Sequence, residues 1–105
     1  MLNQDADQPV FRALADPTRR AIITMLSEGP RATGDIASEF EMSRPAVAKH
    51  LTILREGGVI EVKPRGRERI NHLNPQALKR AAAWLNYFDQ FWDERLTRLK
   101  QLVEE

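Results

Sequence analysis

The chain has 105 residues, enough for one domain, with 42% apolar residues and a formal net charge of +1. It has no cysteine, which excludes disulfides, thiolate metal sites and thiol redox switching. No run of about 18 apolar residues exists, so no membrane span is expected. The acidic, polar opening stretch is unlike a secretory signal, and a cytoplasmic location is expected.

Residues 1–7 are expected to be flexible, with a first helix from about Gln8 to Leu14. Asp16-Pro17 is a strong helix start, because Asp caps and Pro costs no hydrogen bond in the first turn. Asp16-Pro17-Thr18-Arg19-Arg20 reads as this capped start, with arginines in surface or inter-subunit pairs; a phosphate contact is the alternative. The second helix carries Ile22, Ile23, Met25 and Leu26 and stops at Gly29-Pro30. A short third helix over Gly34–Phe40 has Ile36, Ala37 and Phe40 apolar, and Glu41 and Met42 alone separate it from Ser43.

Ser43 is a good N-cap and Pro45 falls in the first turn of the next helix. Val47, Leu51 and Leu54 recur at i, i+4 and i+7 and predict one buried face. Pro45, Lys49 and Thr52 point the other way, flanked by Arg44, Ala46 and Ala48. A short helix with a small, cationic, hydroxyl-bearing outer face suits a DNA major groove. Two short helices in so tight a turn predict a helix-turn-helix over residues 33–56. Gly57-Gly58 ends it. Val59–Lys63 changes to strand chemistry, Pro64-Arg65-Gly66 reads as a turn, and Arg67–Leu73 returns as a second strand. This hairpin over 59–73, carrying Lys63, Arg65, Arg67 and Arg69, is a candidate wing. From Arg44 to Arg69 seven basic residues face three acidic ones, a net +4, while the rest of the chain is −3. A basic face on an acidic body fits oriented docking on phosphates.

Asn74 and Pro75 start a last helix, expected over 75–103. Leu78, Ala81, Leu85, Phe88, Trp92, Leu96, Leu99 and Val103 form one stripe at spacings of 3 and 4. About 29 residues span roughly 44 Å, more than a small domain needs for its own core. Trp84, Tyr87 and Phe91 add apolar area. The simplest cover is a copy of the same helix; a pocket for an apolar ligand is the alternative.

In three blocks the chain resembles the ArsR/SmtB family of winged-helix repressors. These are Phe11-Arg12-Ala13-Leu14-Ala15-Asp16-Pro17-Thr18-Arg19-Arg20-Ala21-Ile22, then Met42–Val47 through Lys49-His50-Leu51, then Arg65-Gly66-Arg67-Glu68-Arg69. The resemblance runs from about Val10 to the C-terminus. It implies a two-fold dimer built by the first and last helices. Arsenic- and cadmium-type members place a Cys-x-Cys pair where this chain has Ala32 and Gly34. Zinc- and nickel-type members use Asp and His on the last helix, which here has Asp89, Asp93 and Glu94 but no histidine. Persulfide sensors need two cysteines. Ala48 stands where relatives commonly carry Ser. Ala32 stands where a capping Thr is common, so Thr33 is expected to cap instead.

His50 lies at the edge of the recognition helix beside Val47 and Leu54, where a phosphate contact and simple packing are both open. His72 ends the second wing strand, with a structural or solvent role expected. No catalytic motif is present: no cysteine nucleophile, Gly-rich phosphate loop or G-x-S-x-G elbow. The expected fold is mostly α with a small β-hairpin: a winged helix-turn-helix with four helices, a two-stranded wing and a long dimerisation helix. The expected function is a homodimeric repressor on a partly palindromic duplex. Ser43, Arg44, Pro45, Ala48, Lys49, His50 and Thr52 are its candidate DNA-binding residues, with Arg65 and Arg67 on the wing. Val10, Phe11, Leu14, Leu78, Leu85, Phe88, Trp92, Leu96 and Leu99 are its candidate interface. No metal, cofactor or membrane partner is expected; an unidentified small-molecule inducer stays open. A ligand-gated regulator and a winged-helix protein-interaction module are the competing readings.

Overall fold

Three capped prolines set three of the helix starts. Asp16, Ser43 and Asn74 each precede a first-turn proline. Their side chains accept from the backbone N–H of Arg19 at 3.1 Å, Ala46 at 3.3 Å and Gln76 at 3.2 Å. In a computed structural model, which describes residues 4–104, the elements run α1 (Gln4–Leu14), α2 (Pro17–Ser27), β1 (Arg31–Ala32), α3 (Thr33–Ser38) and α4 (Arg44–Glu56). They continue with β2 (Ile60–Arg65), β3 (Glu68–Leu73), α5 (Pro75–Asn86) and α6 (Asp89–Glu104). Val47, Leu51 and Leu54 of α4 are buried as their spacing predicts. They join Ile22 and Leu26 of α2, Ile36 of α3, Val10 and Ala13 of α1, Val59, Ile60, and Ala77 and Ala81 of α5 in one core.

The structure corrects several expectations. Helix α1 begins at Gln4, not Gln8, with Pro9 inside it. Asp7, assigned to a flexible leader, is helical and buried, and pairs with Arg80 of α5; residues 1–3 of that leader lie outside the described residues. Burial of one face of α1 outweighs the hydrogen bond that Pro9 forfeits. Val10, expected at a dimer surface, is 3% exposed and belongs to the protomer core.

The wing is part of a three-stranded sheet in the order β1-β3-β2. The two-residue strand β1 pairs Arg31 with Asn71 and Ala32 with Ile70. Pairing of β2 with β3 runs from Ile60 opposite Leu73 to Arg65 opposite Glu68. The turn is therefore Gly66-Arg67, one step beyond the expected Pro64-Arg65-Gly66. Gly66 has φ +63°, and no non-glycine residue among those described has positive φ, the pattern of a type II′ hairpin. Pro64 sits in β2, an edge strand, where a missing N–H is tolerated. Thr33 does not cap α3. Ala32 occupies the cap without a side-chain bond, and Thr33 Oγ1 accepts from Asn71 Nδ2 at 3.0 Å.

The expected long last helix is two helices. The backbone tightens at Tyr87 and Phe88, where Phe88 N donates to Leu85 O at 3.0 Å. No proline or glycine marks the break; Asn86 and Asp89 flank it, and both residue types prefer helix ends to interiors. Past Ala81 the apolar stripe is unburied: Leu85 is 58% exposed, Trp92 63% and Leu99 59%. The radius of gyration is 17.9 Å, against about 13 Å for a compact chain of this length. Helix α6 accounts for the excess by leaving the body.

Candidate nucleic-acid interface

The buried stripe of α4 decides what its other side presents. With Val47, Leu51, Ile53 and Leu54 packed inward, Ser43, Arg44, Pro45, Ala48, Lys49 and Thr52 are exposed on the outer side. Thr52 Oγ1 donates to Ala48 O at 3.0 Å, which leaves its oxygen free to accept. Arg65 and Arg67 are exposed at the wing tip, Arg67 within the turn itself. Helix α4 packs on β2; Arg55 of the helix and Arg69 of the wing line the cleft between them, whereas Lys63 and Arg65 line a separate groove that also holds Glu28, Asp35, Glu39 and Glu68.

Among the described residues, none of Arg44, Lys49, Arg55, Lys63, Arg65, Arg67 and Arg69 has an acidic partner within 4.0 Å. Seven solvated cations on a helix and a hairpin hold their charge for an external anion, and the groove-sized helix between them offers donors to base edges. A cleft between α4 and the wing, lined by Thr33, Thr52, Arg55, Arg69 and Asn71, adds two cations that the candidate set omitted. The signal for Arg55 was present: it lies one turn beyond Thr52 on the outer side of the helix.

His50 departs from the outer face. Its Nδ1 lies 3.2 Å from Arg19 Nη1 and 3.8 Å from Asp16 Oδ2, turned towards the start of α2. Nδ1 is thus taken up within the protomer. The motif from Asp16 to Arg20 is the capped helix start expected of it, and within the protomer its two arginines bond backbone carbonyls. They cap the end of α1: Arg19 donates to Arg12 O at 2.7 Å and Ala13 O at 3.0 Å, and Arg20 to Leu14 O at 2.8 Å. These carbonyls end a helix and have no partner within it. Asp16 has its carboxyl held below the ordinary value of 3.8, chiefly by the N–H of Arg19. The joint between helix-turn-helix and wing rests on Asn71, which is 1% exposed and donates to Arg31 O at 3.3 Å as well as to Thr33.

The candidate interface residues other than Val10 lie on α1, α5 and α6 or at the break between the last two. Phe11 and Leu14 are half-buried, as is Leu78, while Leu85, Phe88, Trp92, Leu96 and Leu99 are exposed. Phe11 meets Trp84 edge to face at 5.6 Å, and Trp84 meets Phe88 at 4.9 Å. A ladder of rings thus joins α1 to the break after α5. Among the described residues no group of three His, Cys, Asp or Glu is placed to hold a metal ion. Nor is any helix among them long and apolar enough to cross a membrane.

Residues 16–62 match the family described as "Bacterial regulatory protein, arsR family". The chain is 40% identical over 94 residues to the HTH-type transcriptional regulator Rv2034 of Mycobacterium tuberculosis, covering 90% of this chain and 85% of that protein. It is 38% identical over 79 residues to the transcriptional repressor SdpR of Bacillus subtilis, covering 75% and 88%. Among solved structures, an ArsR-like transcriptional regulator from Rhodococcus sp. RHA1 superposes with a TM-score of 0.77 at 34% identity, covering 96% and 93%. The homodimeric winged helix-turn-helix DNA-binding domain Mb0332 from Mycobacterium bovis does so at 0.67 with 25% identity, covering 82% and 81%. The resemblance carried by the three sequence blocks is therefore a relationship over most of the molecule, and the chain belongs to the ArsR family of DNA-binding transcriptional regulators.

Proposed function

We propose that the protein is a homodimeric repressor that binds a partly palindromic duplex, with α4 in the major groove and the wing on the flanking backbone. The observation that carries this reading is the unpaired basic surface of α4 and the wing. Arg44 and Lys49, with Ser43, Pro45, Ala48 and Thr52 around them, face the base edges, and arginine to guanine is the commonest specific contact. Arg65 and Arg67 hold phosphates or enter the minor groove. His50 is left out of this set because its Nδ1 is engaged by Arg19. The dimer is supported by the exposed apolar stripe of α5 and α6 and by the homodimeric Mycobacterium bovis neighbour. Repression is supported by the Bacillus subtilis relative. The aromatic face is open rather than enclosed, which favours a second helix over a small ligand as its cover.

Selection of bound duplexes from a random library tests the reading. It should enrich a site with two-fold symmetry, and sedimentation of the complex should give two chains per duplex. Enrichment of an asymmetric site held by one chain, or no enrichment, contradicts it.

A further inference from the structure

The side chain of Arg19 ties α1, α2 and the recognition helix together through a single charged group. It is 8% exposed, and its Nε donates to Ala13 O at 3.0 Å, its Nη2 to Arg12 O at 2.7 Å and its Nη1 to His50 Nδ1 at 3.2 Å. A buried guanidinium needs such partners, and it has donors alone to offer. His50 Nδ1 must therefore supply a lone pair, which leaves the imidazole proton on Nε2. Asp16 Oδ2 is the competing partner, but at 3.8 Å it lies beyond hydrogen-bond distance of Nδ1, against 3.2 Å for Arg19 Nη1.

We propose that Arg19 and His50 are positioning residues for DNA recognition: the guanidinium fixes α4 to the C-terminal end of α1 through His50 Nδ1. The inference rests on the DNA-binding reading above. Helix α1 lies beside the aromatic ladder that leads into the proposed dimer face, and α4 carries the proposed base contacts. The tie therefore joins the element that spaces the two subunits to the element that reads. Hydrogen bonds to base edges weaken steeply when distance or angle drifts, whereas non-specific binding follows charge. Loss of the tie acts on specific binding.

The test compares wild type, His50→Asn and His50→Leu on the selected duplex and a scrambled duplex at several salt concentrations. Asparagine Oδ1 takes the place of the accepting Nδ1; leucine offers no acceptor. His50→Leu should lower the preference for the selected duplex by about tenfold, the scale of one hydrogen bond to a charged group, with His50→Asn within about twofold of wild type. The slope of log affinity against log salt should be the same in all three. Equal loss in both variants, or no loss in either, overturns the proposal; a slope reduced by about one unit identifies a phosphate contact instead. If His50→Leu does not fold, nitrogen-15 shifts of the wild-type imidazole decide: a protonated Nδ1 at neutral pH overturns the tie. Wild type that selects no duplex overturns the DNA reading itself, while wild type that selects one with variants that disobey the pattern overturns the tie alone.

Discussion

A Cβ on Gly57 would lie 2.7 Å from the carbonyl oxygen of Pro9, so the recognition helix closes on α1 with no room for a side chain. Ala13 Cβ stands 3.2 Å from the same point. Gly57 has φ −77°, a conformation open to any residue, so space alone demands glycine there. Its neighbour Gly58, at φ +73°, is glycine for its backbone.

Gly57→Ala should therefore destabilise the fold by about 1–3 kcal/mol, the usual cost of overpacking a closed contact. Urea denaturation measures it. A midpoint equal to that of wild type would mean that α1 and α4 separate freely.

The Asp16 cap makes stability depend on pH in a defined direction. Its carboxyl is held below 3.8 chiefly by the Arg19 N–H; the Thr18 N–H and the Arg19 charge act the same way, and burial opposes them. A depressed folded value means that ionised Asp16 stabilises the fold above the unfolded value, and the contribution fades as pH falls through the folded one. Asp16→Asn keeps a capping side chain without the charge. The stability gap between wild type and Asp16→Asn should be present at about pH 6 and shrink below about pH 4. A gap that does not change with pH would remove the charge from the account.

The exposed stripe predicts a dimer of twice the 12.1 kDa chain mass in solution at micromolar concentration. Leu96→Glu, on the 45% exposed part of that stripe, should raise the dimer dissociation constant by at least about tenfold, because a carboxylate would be buried without a partner. Light scattering reads both. A wild-type monomer, or a variant that dimerises as well as wild type, contradicts the shared-helix arrangement.

Metal control is not expected from this residue set. Titration with zinc, nickel, cadmium or arsenite should leave DNA affinity within about twofold, since carboxylates alone suit transition metals poorly. Stoichiometric metal binding that releases DNA would refute this.

The helix-turn-helix was legible because its signals are local: a Ser43 cap, a first-turn proline and the Val47, Leu51, Leu54 spacing all lie within twelve residues. The wing was legible by strand chemistry, but its turn was displaced by one residue because Pro64 is a turn former that the edge strand β2 accommodates. Strand β1 was not legible: Arg31-Ala32 carries no strand pattern and is held by β3 from about 40 positions away, Arg31 opposite Asn71. The break at Tyr87-Phe88 has no glycine or proline to announce it. The roles of Arg19 and Arg20 were hidden because their partners are backbone carbonyls of α1, which a residue pattern does not display.

Binding of Arg44→Ala and Arg67→Ala to the selected and scrambled duplexes, at several salt concentrations, tests the central assignment of reading to α4 and anchoring to the wing. Arg44→Ala should cost about 1–3 kcal/mol on the selected duplex and narrow its margin over scrambled DNA. Arg67→Ala should weaken both duplexes by similar factors and reduce the salt slope by about one unit for each phosphate it no longer neutralises. If Arg44→Ala leaves the margin intact while Arg67→Ala collapses it, the wing reads the sequence and the assignment is wrong.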